Sequence, residues 1–147
     1  MNRMVTVVMA DDHRLLRQCF AAVLAQNTGI QVLADVGTSD DAITACIQFH
    51  PDVALLDIDM PGLDSFEAAR VIRSRSPKTR VIFLSAFTLD RYIESALGAG
   101  ALGYVTKLEP PETVVRAIHA VAAGQCYFSP EVQSRIVIDD QGPTLSP

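Results

Sequence analysis

The stretch Val53-Ala54-Leu55-Leu56-Asp57-Ile58-Asp59-Met60-Pro61-Gly62 decides the fold. Four apolar residues in a row, set between Pro51 and an Asp-x-Asp that runs into a Pro-Gly turn, read as a short strand covered on both faces. Such a strand releases a carboxylate at its carboxyl end. The pattern recurs on both sides. Upstream, Val5 to Met9 is a β-branched run halted by Asp11-Asp12, and Ile30 to Val36 reads as a second strand. Downstream, Arg80-Val81-Ile82-Phe83-Leu84 leads to Ser85, and Ala101-Leu102-Gly103-Tyr104-Val105 leads to Lys107.

Helical spacing fills the gaps between these runs. Leu15, Leu16, Cys19, Phe20, Val23 and Leu24 form one stripe, ended by Gly29. Ile43, Cys46 and Ile47 form another behind the Thr38-Ser39-Asp40-Asp41 start. Asp64 or Ser65 caps a third helix carrying Phe66, Ala69 and Ile72. A fourth helix spans about Thr88 to Leu97, and a fifth opens at Pro110-Pro111-Glu112 with Val114, Val115, Ile118 and Val121 inward. Strand and helix thus alternate five times before Gly124. Short connections between alternating elements predict an α/β fold, a doubly wound (βα)5 parallel sheet of five strands in the order 2-1-3-4-5.

Length and charge bound the function. The chain has 147 residues, 17 acidic against 12 basic, for a net charge of −5, and is 49% apolar. One domain with an appendage is the expectation. The acid excess, with no lysine or arginine run, excludes nucleic acid and an anionic membrane as direct partners of this segment. No apolar stretch is long enough to span a bilayer, and the apolar start is too short for a secretory signal core. Cys19, Cys46 and Cys126 form no metal-type pair and suggest no disulfide framework. A reduced, cytoplasmic location follows, with Cys19 and Cys46 expected in the core.

In an open parallel sheet, ligands bind beyond the carboxyl ends of the strands. Asp11, Asp12, Asp57, Asp59, Ser85 and Lys107 all fall there, at one edge. Several carboxylates around one point repel unless a cation joins them, and a set of hard oxygens suits Mg²⁺. A carboxylate is also a nucleophile toward phosphorus, and a metal, an ammonium and a hydroxyl would neutralise a transferring phosphoryl group. Asp57, ending the central strand, is the nucleophile candidate.

These residues resemble the receiver domain of two-component response regulators. The pieces are Asp11-Asp12, Asp57 to Gly62, Leu84-Ser85-Ala86 and Gly103 to Lys107, in order across about residues 5 to 124. The resemblance implies that Asp57 is the phospho-acceptor and that Asp11, Asp12, Asp57 and the backbone carbonyl of Asp59 hold Mg²⁺. It implies that Ser85 and Lys107 bind the attached phosphoryl group and that Ser85 and Tyr104 form the conformational switch. It further implies a histidine kinase as donor, a homodimer formed on phosphorylation, and no enzyme activity beyond the module's own phosphorylation and dephosphorylation. Asp11-Asp12-His13 and the stretch from Gly124 to Pro130 are closer to the NarL/FixJ subfamily. By that likeness residues 1–124 are the receiver, and residues 125–147 are a linker with one helical candidate, Pro130 to Ile138. The linker would lead to a LuxR-type helix-turn-helix domain absent from this chain, through which alone DNA would be bound. Leu108, after the lysine, and Ser65 depart from the common pattern.

Plainer readings stand beside these. Asp40-Asp41 caps a helix, Asp139-Asp140 solvates the linker, His13 is a surface residue, His50 lies in a loop and His119 packs. The enzyme alternative is a phosphohydrolase of the haloacid dehalogenase type using Asp57 and Asp59. Against it stand the late position of the motif and Met60-Pro61 in place of a small hydroxyl residue. A flavodoxin-like nucleotide site would need a glycine- and hydroxyl-rich loop where Asp11-Asp12 stands.

Overall fold

Strand and helix alternate in the computed structural model, which describes residues 3–26, 29–139 and 141–146. The elements are β1 (Val5–Ala10), α1 (Arg14–Leu24), β2 (Ile30–Val36), α2 (Ser39–Phe49), β3 (Val53–Asp57), α3 (Ser65–Arg75), β4 (Arg80–Ser85), α4 (Asp90–Gly98), β5 (Gly103–Thr106) and α5 (Pro111–Ala122). All neighbouring strands of the main sheet pair in parallel, in the expected order 2-1-3-4-5.

The two faces of the sheet follow from the period-two alternation of the strands. Val8, Ala54, Leu56, Val81 and Phe83 pack with Cys46, Ala69, Ile72 and Ile93 from α2, α3 and α4. Val7, Met9, Val53, Leu55, Ile82 and Leu84 pack with Phe20, Leu24, Val114, Ile118 and Val121 from α1 and α5. Both faces are dry, which is why the strands are apolar without a break. Local chemistry starts the helices. Thr38 Oγ1 accepts from Asp41 N at 3.1 Å, and Asp64 Oδ1 accepts from Phe66 N and Glu67 N at 2.9 and 3.2 Å. His50 leaves α2 in the left-handed region at φ 45°.

Beyond Gly124 the chain stays on the molecule. A sixth strand, β6 (Tyr127–Phe128), adds in parallel to the outer edge of β5. A short helix, α6 (Pro130–Gln133), follows, then an antiparallel hairpin of β7 (Ile136–Asp139) and β8 (Gly142–Leu145). Tyr127 N donates to Leu102 O, Ser129 N to Tyr104 O, and Thr106 N to Ser129 Oγ. Gly103 makes this approach possible, since a Cβ there would lie 3.0 Å from Ile82 Cγ1 and 3.2 Å from Tyr127 O. Phe128, Val132 and Ile136 join the α2–α3–α4 core, with Leu145 packed against it.

The structure corrects several expectations. The helical candidate over Pro130–Ile138 is helix only to Gln133. Its later part is strand, in keeping with the β-branched Ile136-Val137-Ile138. Cys19 is exposed, not core. The inward stripe of α1 is Leu16, Phe20 and Leu24, and Leu15 and Cys19 lie on the neighbouring stripe, four residues apart on the water side. Cys46 is buried as expected, and burial pushes its thiol up to about 12. The fourth helix begins at Asp90 rather than Thr88, and the fifth strand at Gly103 rather than Ala101. His119 is exposed. The acidic pair Asp139-Asp140 falls partly outside the described residues.

The packing of β6 yields a test. Phe128→Ala is expected to lower unfolding stability by about 3 kcal/mol in urea titration, because it empties a buried aromatic site. A residue in a freely solvated tail would change stability by less than about 0.5 kcal/mol.

Candidate functional site

Three strand ends converge on one ammonium. Asp11 follows β1, Asp57 ends β3, and Lys107 follows β5. Lys107 Nζ lies 3.0 Å from Asp11 Oδ2 and 3.0 Å from Asp57 Oδ2. Both carboxylates are buried, at 0% and 2% exposure. Neither Oδ2 atom has a hydrogen bond of good geometry beyond that ion pair. The other oxygens are held by backbone: Asp11 Oδ1 accepts from His13 N at 2.8 Å, and Asp57 Oδ1 from Asp59 N at 3.2 Å.

The electrostatics follow from two negative charges sharing one positive charge out of water. Burial pushes the Asp57 carboxyl up to about 6. The hydrogen bond from Lys107 works against that rise, and the Asp11 charge adds to it. For Lys107, burial favours the neutral amine, but Asp57 and Asp11 together outweigh it and raise its pKa.

Asp12 and Asp59 stand at the rim with exposed side chains. His13 Nδ1 sits 3.5 Å from Asp11 Oδ1 and 3.5 Å from Asp12 Oδ1. Asp11, Asp12, His13 and Asp57 each offer a ligand atom, all within 4.8 Å of one another. The buried Oδ2 atoms, short of hydrogen bonds, and the run of hard oxygens fit a small divalent cation.

The predicted switch pair lies beside this cluster. Ser85 Oγ accepts from Phe87 N at 3.0 Å, and Tyr104 Oη donates to Phe87 O at 2.6 Å. Tyr104 is 1% exposed, and burial raises its pKa. Lys107 N donates to Ser85 O at 2.9 Å, which ties the lysine loop to the serine strand.

Two further groups position the site, of which the sequence marks only Ser65, as a helix-start residue and a departure from the receiver pattern. Ser65 Oγ donates to Asp57 O at 2.8 Å and Ile58 O at 3.0 Å, so this hydroxyl fastens the loop behind Asp57. Arg17 Nη1 donates to Asp11 O at 2.6 Å while its Nε reaches Asp35 Oδ1 at 3.1 Å. The sequence signal for Ser65 was its place at a helix start beside the acidic motif. Arg17 carried none, since its partners come from two different strand ends. A cavity of about 540 Å³ opens beside the cluster, lined by Asp12, His13, Leu15, Leu16 and Lys107 among others. A slightly roomier one, about 590 Å³, lies between α4 and β8, away from these carboxylates.

A family model described as the response regulator receiver domain matches residues 7–119. The chain belongs to that family. This receiver is 35% identical over 133 residues to the uncharacterized transcriptional regulatory protein YxjL of Bacillus subtilis, covering 90% of this chain and 61% of that protein. It is 33% identical over 135 residues to the response regulator GacA of Pseudomonas aeruginosa, covering 92% of this chain and 63% of that protein. The crystal structure of a two-component response regulator of the LuxR family from Aurantimonas sp. SI85-9A1 matches with a TM-score of 0.83 at 28% identity, over 89% of this chain and 94% of that one. The receiver therefore spans about three-fifths of the length of these curated relatives. The phosphohydrolase alternative finds no support in these matches. Among the described residues no helix is long and apolar enough to cross a membrane.

The raised carboxyl gives a pH test. Between the ordinary value of 3.8 and about 6 the folded receiver binds a proton at Asp57 that the unfolded chain releases. This contribution to stability is therefore fully present below pH 4 and lost as pH rises through 6. Without divalent cations, Asp57→Asn is expected to stabilise the receiver by roughly 1–3 kcal/mol at pH 8 and hardly at all near pH 4. Urea titrations at the two pH values measure the difference.

Proposed function

We propose that this receiver accepts a phosphoryl group on Asp57 and passes the change to an output domain. The observation that supports this best is the pair of buried carboxylates, one on the central strand, sharing the Lys107 ammonium beside the Ser85 hydroxyl. Asp11, Asp12, Asp57 and the carbonyl of Asp59 would hold Mg²⁺. When bound, Mg²⁺ neutralises phosphoryl oxygens and the crowded carboxylates. Asp57 attacks phosphorus of a phosphohistidine, an Asp57 O–P bond forms as the N–P bond breaks, and the departing imidazole takes up a proton. Lys107 then turns from the carboxylates to a phosphoryl oxygen, and Ser85 Oγ gives its hydrogen to another. Ser85 moves, Phe87 follows, and Tyr104 repacks.

The donor in this reading is a histidine kinase, and the consequence is a homodimer. Regulation of transcription is carried by a helix-turn-helix portion beyond residue 147, in keeping with curated relatives that are longer and are named as regulators. Residues 1–124 form the switch and residues 125–147 the connection to that output. The chemistry is confined to the module's own acyl phosphate, gained and lost, in the cytoplasm.

Incubation with acetyl phosphate and Mg²⁺, followed by intact-mass measurement, tests this. One phosphate-sized gain is expected for the native chain and none for Asp57→Asn. Lys107→Ala is expected to slow labelling at least about tenfold. Equal labelling of Asp57→Asn would refute the assignment.

A further inference from the structure

The switch loop is held at two points, and only one of them belongs to the site. Phe87 offers its N–H to Ser85 Oγ and its carbonyl to Tyr104 Oη. The next residue, Thr88, faces the other way, to the chain beyond Gly124. Arg135, between α6 and β7, donates to Thr88 O through Nη1, to Thr88 Oγ1 through Nη2 at 3.0 Å, and to Asp90 Oδ1 through Nη1 at 2.9 Å. Glu131 of α6 completes the set. It accepts from Thr88 Oγ1 at 2.7 Å and from Arg135 Nη2 at 3.1 Å. The same segment is bonded to the switch strand, because Ser129 N donates to Tyr104 O.

We propose that residues 130–146 are a strap, and that Arg135 clasps it to the β4–α4 loop in the unphosphorylated receiver and lets go when the site is loaded. The proposal rests on the phosphoryl-acceptor reading above.

The physics lies in the shape of the guanidinium. Its donors form a rigid planar fork, so Thr88 O, Thr88 Oγ1 and the Asp90 carboxylate must stay in one arrangement to be met together. Residues 87 and 88 are adjacent, so a shift of Ser85 toward an attached phosphoryl group moves Phe87 and takes Thr88 with it. A fork engaged at three acceptors loses them as a set. Isolated exposed ion pairs contribute little, but here the Arg135 side chain is only 32% exposed and two of its acceptors are neutral groups of the moving loop. Coupling of this kind is reciprocal. If loading weakens the clasp, removing the clasp must strengthen loading by the same factor.

The test uses the whole 147-residue chain, Mg²⁺ and beryllofluoride as the phosphoryl mimic, read by hydrogen exchange and calorimetric affinity. In the native chain, loading is expected to protect peptides around Asp57 and to speed exchange across residues 130–146 about tenfold. Arg135→Ala is expected to show the fast strap without the mimic and to bind the mimic about 5–10-fold more tightly. Arg135→Lys, which keeps the charge but not the fork, is expected to fall between. Unchanged strap exchange on loading, with the Asp57 peptides protected, overturns the clasp and leaves the phosphoryl reading standing. So does an Arg135→Ala variant that only melts earlier, with mimic affinity unaltered. Failure of the mimic to protect the Asp57 peptides overturns both.

Discussion

Two buried carboxylates share one ammonium, and most of the receiver is arranged to sustain that imbalance. Asp11 and Asp57 come from β1 and β3, neighbours in the sheet, while Lys107 reaches them from β5, with β4 between. That order lets Lys107 Nζ come within 3.0 Å of each carboxylate. Buried charge short of full compensation is costly, so the surroundings must hold it rigidly. Arg17 fixes the Asp11 carbonyl, Ser65 fixes the carbonyls behind Asp57, and two backbone N–H groups take the remaining carboxylate oxygens. The result is a cluster with net negative charge that gains by receiving a cation.

Next to the cluster, Ser85 and Tyr104 meet at one backbone residue. Phe87 stands between the Ser85 hydroxyl and the Tyr104 hydroxyl, with both of its backbone polar groups engaged. Tyr104 is buried and packed with the α4 side of the core. Close packing turns a small displacement into a choice between discrete arrangements.

The sequence was legible where physics is local. Asp57, Asp11, Ser85 and Lys107 could be placed because a strand that is apolar on both faces has a visible end, and the residue at that end must face the ligand side. Tyr104 is marked in the sequence only by the receiver resemblance, and the structure shows it buried. The far tail was harder. Tyr127-Phe128 is too short to show any period, and its strand character comes from pairing with β5 across Gly103. Ile136-Val137-Ile138 fits helix and strand patterns alike, and the hairpin with Gly142 to Leu145 decides between them. Cys19 misled because an apolar residue four positions from Leu15 extends a stripe on paper, whereas the face of α1 that packs on the core is that of Leu16, Phe20 and Leu24. Ser65 and Arg17 act on carbonyls, and backbone partners leave no mark in a sequence.

The sixth strand has a consequence for solubility. β5 carries Tyr104, and without β6 it would be the outermost strand of the parallel sheet on that side. Its outward backbone groups, Leu102 O, Tyr104 O and Thr106 N, would then be open to any passing strand. An apolar edge of that kind invites strand addition between molecules. Tyr127 and Ser129 occupy those groups instead, so the segment after Gly124 shields this side of β5 from strand addition.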